Sequence, residues 1–240
     1  MSEHWIAERT QCFDASGIRK VFDLGAKMTD PINLSIGQPD FDVPEEVRQA
    51  AADAINSGKN GYALSQGMPV LREKLQAKID RQYGHDDREV FVTCGTSGGL
   101  VLAMLVLLNP GEEVIVFDPY FAIYDSMAGV VGGKVVYLDT YPDFRIDLSR
   151  VADAITPRTK LIIFNSPANP TGVVAGREEA RGLAELAAER NVVLLSDEIY
   201  RDFCYDGPFR SIASFTEDVL LLNGFSKSSA MTGWRLGYAI

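Results

Sequence analysis

A chain of 240 residues, 46% hydrophobic and 10% aromatic, has the composition of an ordinary globular protein and the length for one main body. Its 23 basic and 33 acidic side chains leave a net charge of −10 with no Lys/Arg run, which argues against nucleic acid or an anionic membrane as partner. No apolar stretch approaches the roughly 18 residues of a membrane span, and no cationic start leads into one, so the expectation is a cytoplasmic protein. Cys12, Cys94 and Cys204 are odd in number and scattered, which fits reduced thiols. With His4 and His85 as the only histidines there is little material for a metal cluster or for a serine or cysteine triad, so no metal is expected. Acid–base work then falls to other side chains, lysine among them.

In chain order, "FDASGIRKVFDLGAKM" puts Ile18, Val21 and Phe22 on one side and predicts an amphipathic arm helix. "DPINLSIGQPDFDVP" is broken by prolines and reads as an extended connector, so residues 1–43 form an arm and linker and 44–240 the main body. Pro44 opens a helix in which Val47, Ala50, Ala51, Ala54 and Ile55 recur at helical spacing until Ser57 and Gly58 stop it. After "NGYALSQGMP" a second helix carries Leu71, Leu75 and Ile79 on one stripe. From residue 89 the rhythm becomes regular. Short β-branched runs at 89–94, 113–117, 134–138, 160–164, 191–196, 219–222 and 235–240 alternate with turns and helical patterns such as "SGGLVLAMLVLL" and "REEARGLAELAAER". Near-continuous apolar strands separated by helices predict an α/β fold, a mostly parallel sheet with helices on both faces.

In such sheets ligands bind beyond the carboxyl ends of the strands. The unusual polar clusters fall there: "GTSGG" after the first strand, "DPYF" after the second, then "NSPANPTG", "DEIY" and "GFSK" after three later ones. Each cluster also has a plain structural reading. Ser97 is a reasonable helix N-cap, although the same turn aims free amides at one point and suits a phosphate. Phe121 serves equally as a core aromatic or as a ring-stacking plate. "NPTG" is a good turn. Asp197 follows a buried run, where it either caps the next segment or needs a cationic partner to stay ionised. Lys227 and Arg235 read alone as surface charges. Taken together, a phosphate cradle, an aromatic plate, an Asn, an Asp wanting a cation, a Tyr and an isolated Lys describe a pocket for pyridoxal 5′-phosphate, with Lys227 as covalent tether.

"SIGQPDFDVP", "GYALSQGMPVLREKL", "NPGEEVIVFDPYF", "PANPTG", "SDEIY" and "SKSSAMTGWRLGY" stand in an order and spacing that resembles the class I/II aminotransferases of pyridoxal-phosphate fold type I, of the aspartate and aromatic aminotransferase kind, from about Ser16 to Ile240. The resemblance implies that residues 44–240 are the cofactor-binding large domain. It also implies transfer of an amino group between an amino acid and a 2-oxo acid by a ping-pong mechanism through a lysine Schiff base. By position it makes Lys227 the Schiff-base lysine and proton shuttle, with Asp197 at the ring nitrogen, Tyr200 and Asn169 at the phenolic oxygen, and Phe121 stacked on the ring. Gly95, Thr96 and Ser97 would meet the phosphate, with Ser226 and Arg235 beside them. Tyr62 would reach the neighbouring phosphate in a homodimer with a shared site, and Gly37 would lie against the substrate carboxylate, as would Asn169.

Two departures stand out. Many relatives carry a phosphate-binding Ser three residues before the lysine, where this chain has Gly224, so Ser226 or Ser228 is expected to take over that contact. Relatives also continue well past the lysine into a small C-terminal domain, which is expected to be absent here because the chain stops on an apolar strand. A carbon–sulfur β-lyase of the same fold, or a non-catalytic remnant that binds the cofactor or dimerises, would share the same pocket residues.

Overall fold

The computed structural model describes residues 5–12, 21, 24, 25, 27–30, 32, 37–83 and 88–240. The arm helix expected over residues 13–28 falls largely outside this set, and so do His4 and His85. Among the described residues no helix is long and apolar enough to cross a membrane.

Helix α1 (Glu45–Asn56) starts behind Pro44, whose fixed φ suits a helix entrance, and Glu45 and Glu46 lie in the first turn beside its positive end. Helix α2 (Pro69–Tyr83) buries Leu75 and Ile79 of its predicted stripe, whereas α1 buries none of its residues. The sheet comprises β1 (Phe91–Cys94), β2 (Glu113–Asp118), β3 (Lys134–Asp139), β4 (Thr159–Asn165), β5 (Val193–Asp197), β6 (Val219–Gly224) and β7 (Leu236–Ala239). Its order is β1-β7-β6-β5-β4-β2-β3. The pairs β2/β3, β2/β4, β4/β5 and β5/β6 are parallel, and β7 runs antiparallel to both β6 and β1. The helices between them are α3 (Gly95–Leu107), α4 (Ile123–Val130), α5 (Leu148–Ala154) and α6 (Arg177–Glu189); the apolar periodicity had marked α3 and α6, and the two shorter ones were too brief to show it.

Strand alternation sorts the core into two layers. Ile115, Ile162, Phe164, Leu194 and Leu221 face Ala180, Leu183, Ala184 and Ala187 of α6 and Val151 of α5. Their strand neighbours Val114, Val116, Leu161, Ile163, Leu195 and Leu222 face Leu100, Ala103 and Met104 of α3 and Tyr124 and Ala128 of α4. The central strands are therefore covered on both faces, which is why they read as unbroken apolar runs, whereas the edge strands β1 and β3 keep exposed positions. Each fully buried Leu, Ile or Phe contributes about 2 kcal/mol before the entropy of ordering it is charged against the gain. Far from the carboxyl rim, buried Glu113 accepts bonds from Arg158 Nε (2.8 Å) and Thr156 Oγ1 (2.5 Å), tying the start of β2 to that of β4.

The N-cap reading of Ser97 is corrected here. Helix α3 begins at Gly95 with Cys94 at the cap position and no side-chain cap bond, so Ser97 lies inside the first turn. Its amide is then one of the orphan donors of that turn.

Candidate functional site

The carboxyl rim of the sheet opens into a cavity of about 490 Å³ lined by Gly37, Gln38, Thr96, Ser97, Leu100, Phe121, Ile123, Tyr124, Asn169, Asp197, Ile199, Tyr200, Ser226, Lys227, Thr232 and Arg235. Most of the residues marked from the sequence thus converge from loops after β1, β2, β4, β5 and β6. Arg235 arrives by a different route. It precedes β7, and reaches the same rim because β7 alone runs the other way.

Asp197, the last residue of β5, is buried at 5% exposure. Its Oδ2 accepts from Tyr124 Oη at 2.8 Å and its Oδ1 from the Ile199 amide at 3.2 Å. The second bond is a local turn contact to the amide two residues on, and the first comes from a neutral hydroxyl; the 3-10 turn that follows has Tyr200 at its cap position without a side-chain cap bond, so Asp197 is not its cap. Burial pushes the carboxyl up to about 6, against the two hydrogen bonds that pull it down. The cation expected beside it does not come from the protein: among the described residues Asp197 makes no ion pair.

Lys227 follows β6 by three residues and is half-buried. Its Nζ donates to Gly37 O and lies 5.5 Å from the centre of the Tyr200 ring. Burial, then the Arg235 guanidinium, lowers the ammonium from the ordinary lysine range, which favours a free amine. Burial and then Asp197 raise Tyr200, keeping its hydroxyl a donor.

At the opposite wall, α3 presents the free amides of its first turn. Among the described residues, Thr96 Oγ1 is buried there without a hydrogen-bond partner. A Cβ at Gly95, whose φ is +69°, would lie 2.5 Å from Arg235 Nη2, so the guanidinium packs directly on this turn. Arg235 itself holds a left-handed backbone, φ 54° and ψ 45°, an uncommon state for a side chain of this size. Its Nη1 donates to Thr232 O at 2.9 Å, and among the described residues no carboxylate pairs with it. First-turn amides, a hydroxyl and a guanidinium without a carboxylate among the described residues are donors of the kind that suit a phosphate-sized anion.

The sequence model of the family "Aminotransferase class I and II" matches residues 29–240. The chain belongs to the class I and II aminotransferases. It is 43% identical over 235 residues, 97% of the chain, to a protein of Methanocaldococcus jannaschii named probable aspartate aminotransferase. To the aspartate/prephenate aminotransferase of Thermus thermophilus it is 44% identical over 225 residues, 92% of the chain. It spans 62% and 58% of those two relatives. The structure titled as a double mutant of Thermus thermophilus aspartate aminotransferase superposes with a TM-score of 0.92 at 42% identity, covering 98% of this chain and 64% of that one.

Against that family background three residues stand apart from the cavity or depart from the pattern, and Gly95 is the first, since it backs Thr96 and Ser97 without lining the cavity itself. Tyr62 is fully exposed at 110% and does not line the cavity. At Gly224, in β6, a Cβ would lie 3.1 Å from Gly237 Cα and from Leu236 O, and 3.2 Å from Thr96 Oγ1, a tight fit that a serine meets only if these neighbours give by a few tenths of an ångström. Ser226 lines the cavity beside Lys227. Tyr124 was not picked out from the sequence. Phe121 lies just before α4 and Tyr124 in its first turn, the Tyr124 amide donates to Phe121 O at 3.0 Å, and the two rings meet edge to face at 5.7 Å.

Proposed function

We propose that this chain carries the pyridoxal 5′-phosphate centre of an aminotransferase that moves an amino group between an amino acid and a 2-oxo acid in two alternating half-reactions. The observation that carries this is one cavity lined by a buried carboxylate without a cation, an amine biased toward its neutral form, and an anion cradle. The described residues fit the cofactor on three counts: Thr96 Oγ1 without a described partner, the guanidinium of Arg235 without a described carboxylate, and Asp197 raised to about 6 by burial. Bound pyridoxal phosphate supplies an aldehyde that condenses with amines and a protonated ring that withdraws electrons from the adjoining carbon.

The roles of this chain's residues follow from their chemistry. Lys227 Nζ would be the amine that holds the aldehyde and, when free, the base that moves the α-proton. Asp197, steadied by Tyr124, keeps the ring nitrogen protonated. Tyr200 and Asn169 donate to the phenolic oxygen, and Phe121 covers one ring face. Gly95, Thr96, Ser97, Ser226 and Arg235 hold the phosphate, and Gly37, with Asn169, meets the substrate carboxylate. Residues 44–240 form the cofactor-binding large domain behind an arm and connector of residues 1–43. The complete exposure of Tyr62 supports a homodimer in which it serves the neighbouring site. The acidic net charge supports small-molecule partners and not nucleic acid or membrane, in a cytoplasmic setting.

The test is uptake of added pyridoxal phosphate by the purified protein, read as a visible absorbance band. Borohydride reduction should leave the cofactor on the peptide containing Lys227; a protein that stays colourless refutes the reading. A panel of amino acids with 2-oxoglutarate then reads transfer. Release of pyruvate and ammonia without the acceptor would assign lyase chemistry instead.

A further inference from the structure

The residues that follow Asp197 and Tyr200 by one position form a second polar cluster on the other side of the same turn. Alternation along β5 and its exit sends Ser196 and Glu198 away from the cavity while Asp197 faces it. Glu198 is 1% exposed. Its Oε1 accepts from Ser211 Oγ and, at 3.3 Å, from Ser196 Oγ; its Oε2 accepts from Tyr83 Oη at 3.4 Å and lies 3.6 Å from Arg201 Nη1. Arg201 also donates to Tyr83 Oη at 2.6 Å, and its guanidinium lies 5.2 Å from the centre of the Phe209 ring.

The backbone closes the unit. The Glu198 amide donates to Leu222 O of β6 at 2.9 Å, and the Arg201 amide to Glu198 O at 3.1 Å. Five consecutive positions, 197–201, thus hold the polar cavity residues Asp197 and Tyr200, each followed by a neighbour locked into α2, the Phe209 segment and the Ser211 turn. A buried carboxylate is tolerated only with its bonds complete, and a complete network rigidifies what it joins.

From this geometry we infer that Glu198 and Arg201 are positioning residues, which aim Asp197 and Tyr200 at the cofactor by clamping the β5 exit from behind. The inference rests on the cofactor reading above. It differs from simple stabilisation in one respect: a loosened clamp lets the two cavity residues tilt, so ring orientation changes even where the fold survives. Glu113 is the matched control, because it is also a buried carboxylate paired with an arginine, at the far end of the sheet.

The experiment compares Glu198→Gln, Ser211→Ala and Glu113→Gln with the parent protein. It measures pyridoxal phosphate affinity and the induced circular dichroism of its visible band, with thermal unfolding as the stability reference. Glu198→Gln is expected to weaken binding about tenfold and to reduce the induced signal, the low end for a hydrogen bond to a charged group, and Ser211→Ala to do so about threefold, the scale of one ordinary hydrogen bond. Glu113→Gln should lower the melting temperature and leave both cofactor readouts within about twofold of the parent, a change under one ordinary hydrogen bond. Ser211→Ala covers the case in which Glu198→Gln does not fold. Parent-like affinity and circular dichroism in Ser211→Ala and in folded Glu198→Gln overturn the inference alone. A parent protein that takes up no pyridoxal phosphate overturns the reading beneath it.

Discussion

Asp197→Asn offers a direct test of the site's electrostatics without a substrate. In the folded protein burial holds the Asp197 carboxyl at about 6, against an ordinary 3.8 in the unfolded chain. The folded state therefore binds this proton more tightly than the unfolded one. The resulting stabilisation is fully present below pH 3.8 and is lost as pH rises through 6. The gap of about 2 pH units corresponds to about 3 kcal/mol against folding at pH 8 in the cofactor-free protein. Asparagine has nearly the same shape and no charge. Its Oδ1 accepts from the Ile199 amide, while its Nδ2 faces a Tyr124 hydroxyl that rotates to accept. The cofactor-free variant should thus be more stable than the parent by up to about 3 kcal/mol at pH 8, with most of the difference gone by pH 4. Urea unfolding at the two pH values measures it. A variant equally destabilised at both would refute the argument, because it would mean that the carboxylate already has adequate partners inside the protein. Pyridoxal phosphate should reverse the order at pH 8, protecting the parent and not the variant.

Tyr124→Phe removes the stronger of the two bonds to that carboxylate and should destabilise the cofactor-free protein by about 2 kcal/mol at pH 8, and by less below pH 5, measured by the same unfolding curves. Gly237→Ala would set a Cβ 2.6 Å from Gly95 C and 2.7 Å from Thr96 N, which are backbone atoms with little room to yield. A loss of about 1–3 kcal/mol is expected, together with weaker phosphate competition for the cradle, read by displacement of bound pyridoxal phosphate. Glu179→Ala deletes a carboxylate that accepts from the Gly176 amide at 2.6 Å and the Ile146 amide at 3.0 Å, and should cost about 1–2 kcal/mol in thermal unfolding while leaving cofactor uptake unchanged. Phe164→Ala empties a fully buried position between β4 and α6 and should cost about 3–5 kcal/mol by the same measurement.

The layered α/β body was legible along the chain because each of its cues is local. Apolar runs with turns between them mark buried strands, and "NPG" or Ser57–Gly58 mark where helices stop. The rim was legible for a related reason: a polar cluster directly after an apolar strand has only one end of the sheet on which to lie. Asp197, Asn169 and Lys227 are therefore placed on one rim by their own short neighbourhoods, and the strand order gathers them into one cavity.

Whatever depends on the order of strands was not written in any short stretch. Asp197 finds Tyr124, 73 residues away, because β5 and the β2 exit open on one rim. Glu198 finds Tyr83 across 115 residues, on the opposite side of the same turn. The direction of β7 decides that Arg235 joins the anion cradle, where a parallel strand would have carried it to the far edge. Residue types and spacing determine which groups are offered at the end of each strand. Only the folded sheet sets which of them meet, because those contacts form between segments that share no local constraint.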